Sequence, residues 1–299
     1  MTQLTANGLQ IEVETHGDPS HPAMLLIMGL GMQLTSWPME LVDGLVKAGF
    51  YVIRHDNRDA GLSQQFDERG APNMIMLAIR HAAGMKITAP YSLEDMAADA
   101  LGVLDALGVR QAHVVGASMG GMIGQILTSL HPDRVLSFTS IMSSSGRIGI
   151  RGPTSRANRA LFSRPKGTSE QALVDHYVKV FRVIGSPAFP MPEDALRARI
   201  LVSVQRARRP QGTLRQMTAI VANGSRVPYL EKISRPTLVV HGDSDPLVSH
   251  EAGDDTAKTI PGARMEVVKG MGHDLPPQVI AMLLEWLPAH ASSAALSAS

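Results

Sequence analysis

Short apolar runs recur along this chain with amphipathic stretches between them, and that alternation limits the fold more than any other feature. The runs are Ala23–Met28, Tyr51–Ile53, His113–Val115, Val135–Met142 and Thr237–Val240, with Met265–Val268 a shorter one. Such continuous runs suit strands covered on both faces. Helical spacing of apolar residues falls at 38–48, 92–107, 119–130, about 250–259 and 277–289. Strand followed by helix, repeated, predicts an α/β fold: a mostly parallel sheet with helices on both faces. At the amino terminus, residues 9–16 alternate in polarity, and Asn7-Gly8 predicts a hairpin with residues 2–6. A chain of 299 residues, 44% of them apolar, can fill the core such a sheet needs.

The rhythm breaks after residue 142. Residues 147–228 hold no buried strand signal, only short helical patterns interrupted by Pro153, Pro165, Pro187, Pro190, Pro192 and Pro210, so this stretch reads as a helical insertion. It carries 13 Arg and 2 Lys against 4 acidic residues, a net +11, and leaves the rest of the chain at −10. Two readings follow: an insertion that pairs with an acidic body, or a basic lid that concentrates anionic substrates. Residues 291–299, all Ala, Ser and one Leu, have little bulk to pack and are expected to form a disordered tail.

Composition removes several kinds of chemistry. There is no cysteine, which excludes disulfides, thiolate metal sites, iron–sulfur clusters and a cysteine nucleophile. Net charge is +1, too small to draw the whole protein to nucleic acid or an anionic membrane. No apolar run approaches the length of a membrane span, and the first residues lack a leader pattern, so the expected setting is cytoplasmic. The 11 histidines show no metal-ligand spacing with a carboxylate, and neither metal nor cofactor is expected.

Three segments carry chemistry of another kind. Gly116-Ala117-Ser118-Met119-Gly120 lies between a strand run and a helical pattern, where glycines flanking a serine let strand and helix approach and push the hydroxyl into open space. Such a hydroxyl needs a base and a group to orient it. His241-Gly242-Asp243-Ser244-Asp245 and Gly270-Met271-Gly272-His273 each follow a strand run, at the sheet edge that also bears Ser118. Either Asp243 or Asp245 could face His273.

The order Ser118, aspartate, His273 resembles the α/β-hydrolase fold superfamily, the match covering residues 1–142 and 229–290, with 143–228 in the position of the family's variable cap. The resemblance implies Ser118 as nucleophile and His273 as base, and its Gly-x-x-Asp spacing favours Asp245 over Asp243. Met28-Gly29-Leu30-Gly31 stands where the family has a His-Gly-x oxyanion loop, with Met28 in place of the histidine. That implies an oxyanion hole formed by the backbone N–H groups of Leu30 and Met119. His55 to Ser63 is similar to the family's Asp-x-Arg-Gly-x-Gly-x-Ser loop, with Asp59 in place of its first glycine; Asp56 and Arg58 are expected to pin it. Together the short motifs are similar to those of aclacinomycin methylesterase.

The expected activity is cofactor-independent, serine-dependent hydrolysis of a small or medium, largely apolar carboxylic ester through an acyl-enzyme. Alternatives on the same scaffold are a methylesterase of a polyketide-like ester, a lactonase, a C–C hydrolase, an acyltransferase, a perhydrolase or a hydrolase-like ligand receptor. Ser118 disfavours dehalogenase and epoxide-hydrolase chemistry, in which the resemblance implies an aspartate nucleophile. The expected partner is the small-molecule ester itself, and homo-oligomer formation is left open. Other residues have plainer expectations. Glu94, Asp95, Asp99 and Asp105 read as a solvated helix face, His16, His21 and His290 as surface groups, and Met74 to Leu77 as core packing. Met28, Met32, Met119, Met122, Met142 and Met271 are either core filler or the lining of an adaptable apolar pocket.

Overall fold

In the computed structural model, which describes residues 2–297, eight strands form one sheet in the order β1-β2-β4-β3-β5-β6-β7-β8. They are β1 (Thr2–Ala6), β2 (Leu9–His16), β3 (Ala23–Ile27), β4 (Tyr51–His55), β5 (Ala112–Ala117), β6 (Val135–Ile141), β7 (Thr237–Gly242) and β8 (Arg264–Val268). β1 and β2 form the expected hairpin, β2 runs antiparallel to β4, and every other neighbouring pair is parallel.

Helices α1 (Met39–Lys47), α2 (Met74–Ala82), α3 (Leu93–Ala106) and α4 (Met119–Leu130) precede β6. Between β6 and β7 come α5 (Ser155–Leu161), α6 (Glu170–Ile184), α7 (Glu193–Arg206), α8 (Pro210–Asn223) and α9 (Val227–Leu230). The chain ends with α10 (His250–Thr259) and α11 (Pro277–Ser297). Alternate strand residues feed two cores. Leu25, Ile27 and Val114 pack with α3 and α4, whereas Leu26, Val115 and Val240 pack with α1 and α11. This is why the strand runs are continuously apolar: both faces of the sheet are covered.

The register sets up the site. Ile27 stands opposite Gly116, Ala117 opposite Ile141, Ile141 opposite Val240, and Gly242 opposite Val268. Loops leaving β3, β5, β7 and β8 therefore emerge along one edge. β6 and β7 are hydrogen-bonded neighbours, so α5–α9 form an excursion from a sheet that is continuous beneath them. α6 and α7 bury Leu173, Val178, Leu196 and Ile200 against each other. The excursion meets the acidic body through Arg147–Asp255, Arg206–Asp56 and Arg215–Asp59, with shortest N–O distances of 2.6, 2.6 and 2.7 Å. These contacts are the pairing that the opposite regional charges suggested.

Four expectations need correction. Residues 291–297 continue α11 rather than forming a tail; residues 298 and 299 lie outside the described residues. Ala291 and Ala294 are buried, because small side chains let the helix lie close to its support, and alanine favours helix. His290 is carried inward with them, and its Nε2 lies 3.2 Å from the Phe138 carbonyl. Asp99 is buried, and Arg58 holds it through two hydrogen bonds of 2.6 and 2.7 Å. Finally, Met74 to Leu77 opens helix α2, capped by the Asn73 side chain, and only Leu77 of these four is buried, while Ile75 is 75% exposed.

Candidate active site

Ser118 sits between β5 and α4 with φ 55° and ψ −118°, a left-handed conformation costly for a residue with a Cβ. Its surroundings hold it there. The Ser118 N–H donates to the Ile141 carbonyl at 2.9 Å, and the helix starts on the next residue. A Cβ at Gly116 would lie 2.2 Å from the Gly120 carbonyl oxygen, and one at Gly120 would lie 1.9 Å from the Ile27 carbonyl oxygen. Only glycine permits this crossing of strand and helix.

His273 reaches Ser118 from the loop after β8. Its Nε2 is 3.0 Å from the Ser118 Oγ, and its Nδ1 is 2.7 Å from Asp245 Oδ2. With the carboxylate accepting from Nδ1–H, the neutral imidazole presents an acceptor lone pair to the serine hydroxyl. The His273 backbone N–H donates to the Ile184 carbonyl at 2.7 Å, and that of Gly272 to Ser186 Oγ at 2.9 Å, so the end of α6 fixes this loop.

Asp245 is buried after β7. Its Oδ1 accepts from the N–H groups of Leu247 and Val248 at 2.8 and 2.9 Å, leaving Oδ2 for His273. Burial pushes its carboxyl upward, but the proximity and hydrogen bond of His273 and the Val248 amide outweigh that, and it ends below the usual carboxylate range. Asp243 is exposed and instead accepts from the Gly270 N–H at 2.6 Å, tying the two loops together.

Beneath Asp245 lies a second buried imidazole that sequence reading left without a role. His241 Nε2 is 2.9 Å from the Val248 carbonyl, so this nitrogen carries the proton, and it is 3.7 Å from Asp245 Oδ2. Burial lowers its pKa, which keeps it neutral.

The Met28–Gly31 loop runs beside the serine. A Cβ built on Gly29 would be 3.1 Å from the Ser118 Cβ and 3.6 Å from its Oγ. Among the described residues, no acceptor takes the N–H of Leu30 or Met119, whereas the Gly31 N–H is taken by Gln216 Oε1 at 2.8 Å. Asn57 Nδ2 donates to the Met28 carbonyl at 2.9 Å. Asp56 accepts from the N–H groups of Leu34 and Leu62 at 2.7 and 2.9 Å and from Arg206 at 2.6 Å, so it pins its loop as expected. Met28, Met119, Met122, Met142 and Met271 are all buried. Gln216, Arg206 and Arg215 escaped sequence reading, since each meets a partner about 150 or more residues away and no local motif marks them.

Known proteins resemble this chain in sequence and in fold. The family model described as alpha/beta hydrolase fold matches residues 22–277. The chain is 31% identical to rhodomycin D methylesterase DauP of Streptomyces sp. (strain C5) over 310 residues, covering 97% of this chain and 98% of that protein. It is 30% identical to rhodomycin D methylesterase DnrP of Streptomyces peucetius over the same span and coverage. A meta-cleavage product hydrolase from Pseudomonas fluorescens IP01 superposes with a TM-score of 0.75 at 17% identity, covering 98% of each chain, a likeness of fold. Eight strands in this order, a serine on the strand-to-helix crossing and a near full-length match to these relatives lead to one conclusion: the chain belongs to the α/β hydrolase fold family.

Proposed function

We propose that this protein is a serine ester hydrolase in which Ser118, His273 and Asp245 act as a catalytic triad. Ser118 Oγ attacks the ester carbonyl carbon while His273 Nε2 takes its proton, and Asp245 stabilises the imidazolium that forms. The tetrahedral oxyanion accepts hydrogen bonds from the N–H groups of Leu30 and Met119, each worth roughly 10²–10³ in kcat in sites of this type. Collapse breaks the C–O bond, and His273 returns its proton to the departing alkoxide. Water then attacks the acyl-enzyme with His273 as base, releasing the acid and restoring Ser118.

The observation that carries this reading is the unbroken hydrogen-bonded path from Ser118 Oγ through the imidazole to Asp245. The free amides of Leu30 and Met119 support the oxyanion role, since the neighbouring Gly31 amide is already engaged. Near full-length likeness to two rhodomycin D methylesterases favours the methylesterase alternative, a methyl ester of a polyketide-like acid with methanol leaving. Residues 143–228 act as a cap in this proposal, a role supported by their contacts through Ile184 and Gln216 with the His273 and Gly31 loops.

Purified Ser118→Ala is expected to keep its circular-dichroism spectrum and lose nearly all turnover of p-nitrophenyl esters and of a polyketide-like methyl ester. Retained turnover would defeat the assignment.

A further inference from the structure

Gln216 belongs to α8, in the excursion between β6 and β7, yet its side chain lies inside the body of the protein with no exposed surface. Each end of its amide is used. Oε1 accepts the Gly31 N–H at 2.8 Å, and Nε2 donates to the Arg58 carbonyl at 2.7 Å. Buried amides that satisfy both ends fix their neighbours, because losing either contact leaves an unpaired polar group away from water.

Both loops gripped by this amide are themselves anchored. Arg58 is clamped to Asp99, and the adjoining Asn57 holds the Met28 carbonyl. The Met28–Gly31 segment is thus tied at one end by Asn57 and at the other by Gln216. Between these ties the chain turns sharply: Met32 N–H donates to the Gly29 carbonyl at 3.2 Å, with Gly31 at φ +66°. A residue in that position is comfortable only as glycine, and the orientation of its peptide is chosen by whatever accepts its N–H. The acceptor here comes from α8. The helix cannot slide, because the preceding Arg215 is locked onto Asp59.

We propose that Gln216 is a positioning residue for the oxyanion hole: it sets the path of the Gly29–Gly31 turn and thereby aims the Leu30 N–H. This rests on the ester-hydrolase reading above. It makes the excursion part of the apparatus that stabilises the transition state, in addition to any role in selecting what enters.

The test compares the full-length parent with Gln216→Met, which keeps volume but removes both polar ends. Gln216→Asn serves beside it, keeping an amide that is one methylene too short to reach Gly31. Expected for both is a fall in kcat of about 10–100-fold on a p-nitrophenyl ester with KM held within about threefold. The Ki of an aryl trifluoromethyl ketone, which forms an oxyanion on attack, should rise by a similar factor. The acid limb of the pH profile should stay where it is, because His273 and Asp245 are untouched. Counting active sites by titration removes any loss through misfolding, and Gln216→Asn decides the matter if Gln216→Met does not fold. A kcat within about twofold of the parent in the folded variants, or a fall in kcat without weaker ketone binding, would overturn the proposal. The two readings fail separately: turnover by Ser118→Ala sinks the hydrolase, while an inert Ser118→Ala beside fully active Gln216 variants sinks only the brace.

Discussion

Arg215 grips Asp59 through two hydrogen bonds of 2.8 and 2.7 Å, and neither side chain has any exposed surface. Asp59 holds the left-handed position where the family motif has glycine, at φ 67°, and also accepts from the Tyr91 hydroxyl at 2.8 Å and the Phe66 N–H at 3.0 Å. Burial raises its carboxyl, but Arg215 and these donors together bring it below the usual range, so it is buried as an anion. Arg215→Met should destabilise the protein by about 3–5 kcal/mol in urea unfolding, because it strands that charge. Adding Asp59→Asn should recover much of the loss.

Asp245→Asn should lower kcat by about 10⁴-fold with the fold intact, since an amide cannot hold the same imidazole tautomer as a carboxylate. Asp243→Asn keeps an acceptor for the Gly270 N–H and should stay within about threefold of the parent. Steady-state kinetics on one ester at neutral pH separates the two carboxylates. Equal losses would contradict the division of roles between them.

His55 and His113 are held neutral inside the protein, burial pulling both from the ordinary 6.5 down to about 4. The unfolded chain takes up these protons as pH falls below 6.5, whereas the folded chain does so only near 4. Their contribution to stability is therefore complete above pH 6.5 and lost as pH drops toward 4, by about 2 kcal/mol per histidine between pH 7 and 5. His113→Gln should flatten this decline by about one histidine's share in urea unfolding at the two pH values. An unchanged slope would show that His113 titrates alike in both states.

Gly120→Ala should prevent stable folding, or cost on the order of 4 kcal/mol or more, because the new methyl group meets the backbone of Ile27 in the central sheet. Gly152→Ala, with nothing within 4 Å of its added Cβ, is the matched control and should leave the melting temperature nearly unchanged. A melting temperature for Gly120→Ala near that of the control would count against the tight crossing at the serine.

The sheet was legible in the sequence because its strands are buried on both faces and so appear as uninterrupted apolar runs. Ser118, His273 and the Asp243–Asp245 turn are legible because each follows such a run, which places them at one edge whatever the intervening chain does. The choice of Asp245 over Asp243 comes from the family's Gly-x-x-Asp spacing. Residues whose state depends on a distant partner were not legible. Asp99 looks like a solvated helix carboxylate until Arg58 arrives from another loop, and Gln216 looks like any polar helix residue until Gly31 faces it. The end of α11 is illegible for a different reason: its small side chains look too slight to bury, although smallness is what lets that helix settle closely.

The continuity of β6 with β7 beneath the excursion also bears on how such proteins diversify. The Met142 N–H donates to the Val240 carbonyl and the Pro236 carbonyl accepts from the Phe138 N–H, so an exchange confined to the chain between Met142 and Pro236 would leave the β6–β7 ladder in place. The exchange has a hidden toll, however, because a transplanted module must bring its own cation for Asp59 and its own acceptor for Gly31. Chimeras that swap this module alone would thus inherit a sound scaffold and a slackened reaction centre, and new selectivity would come first as a slower enzyme.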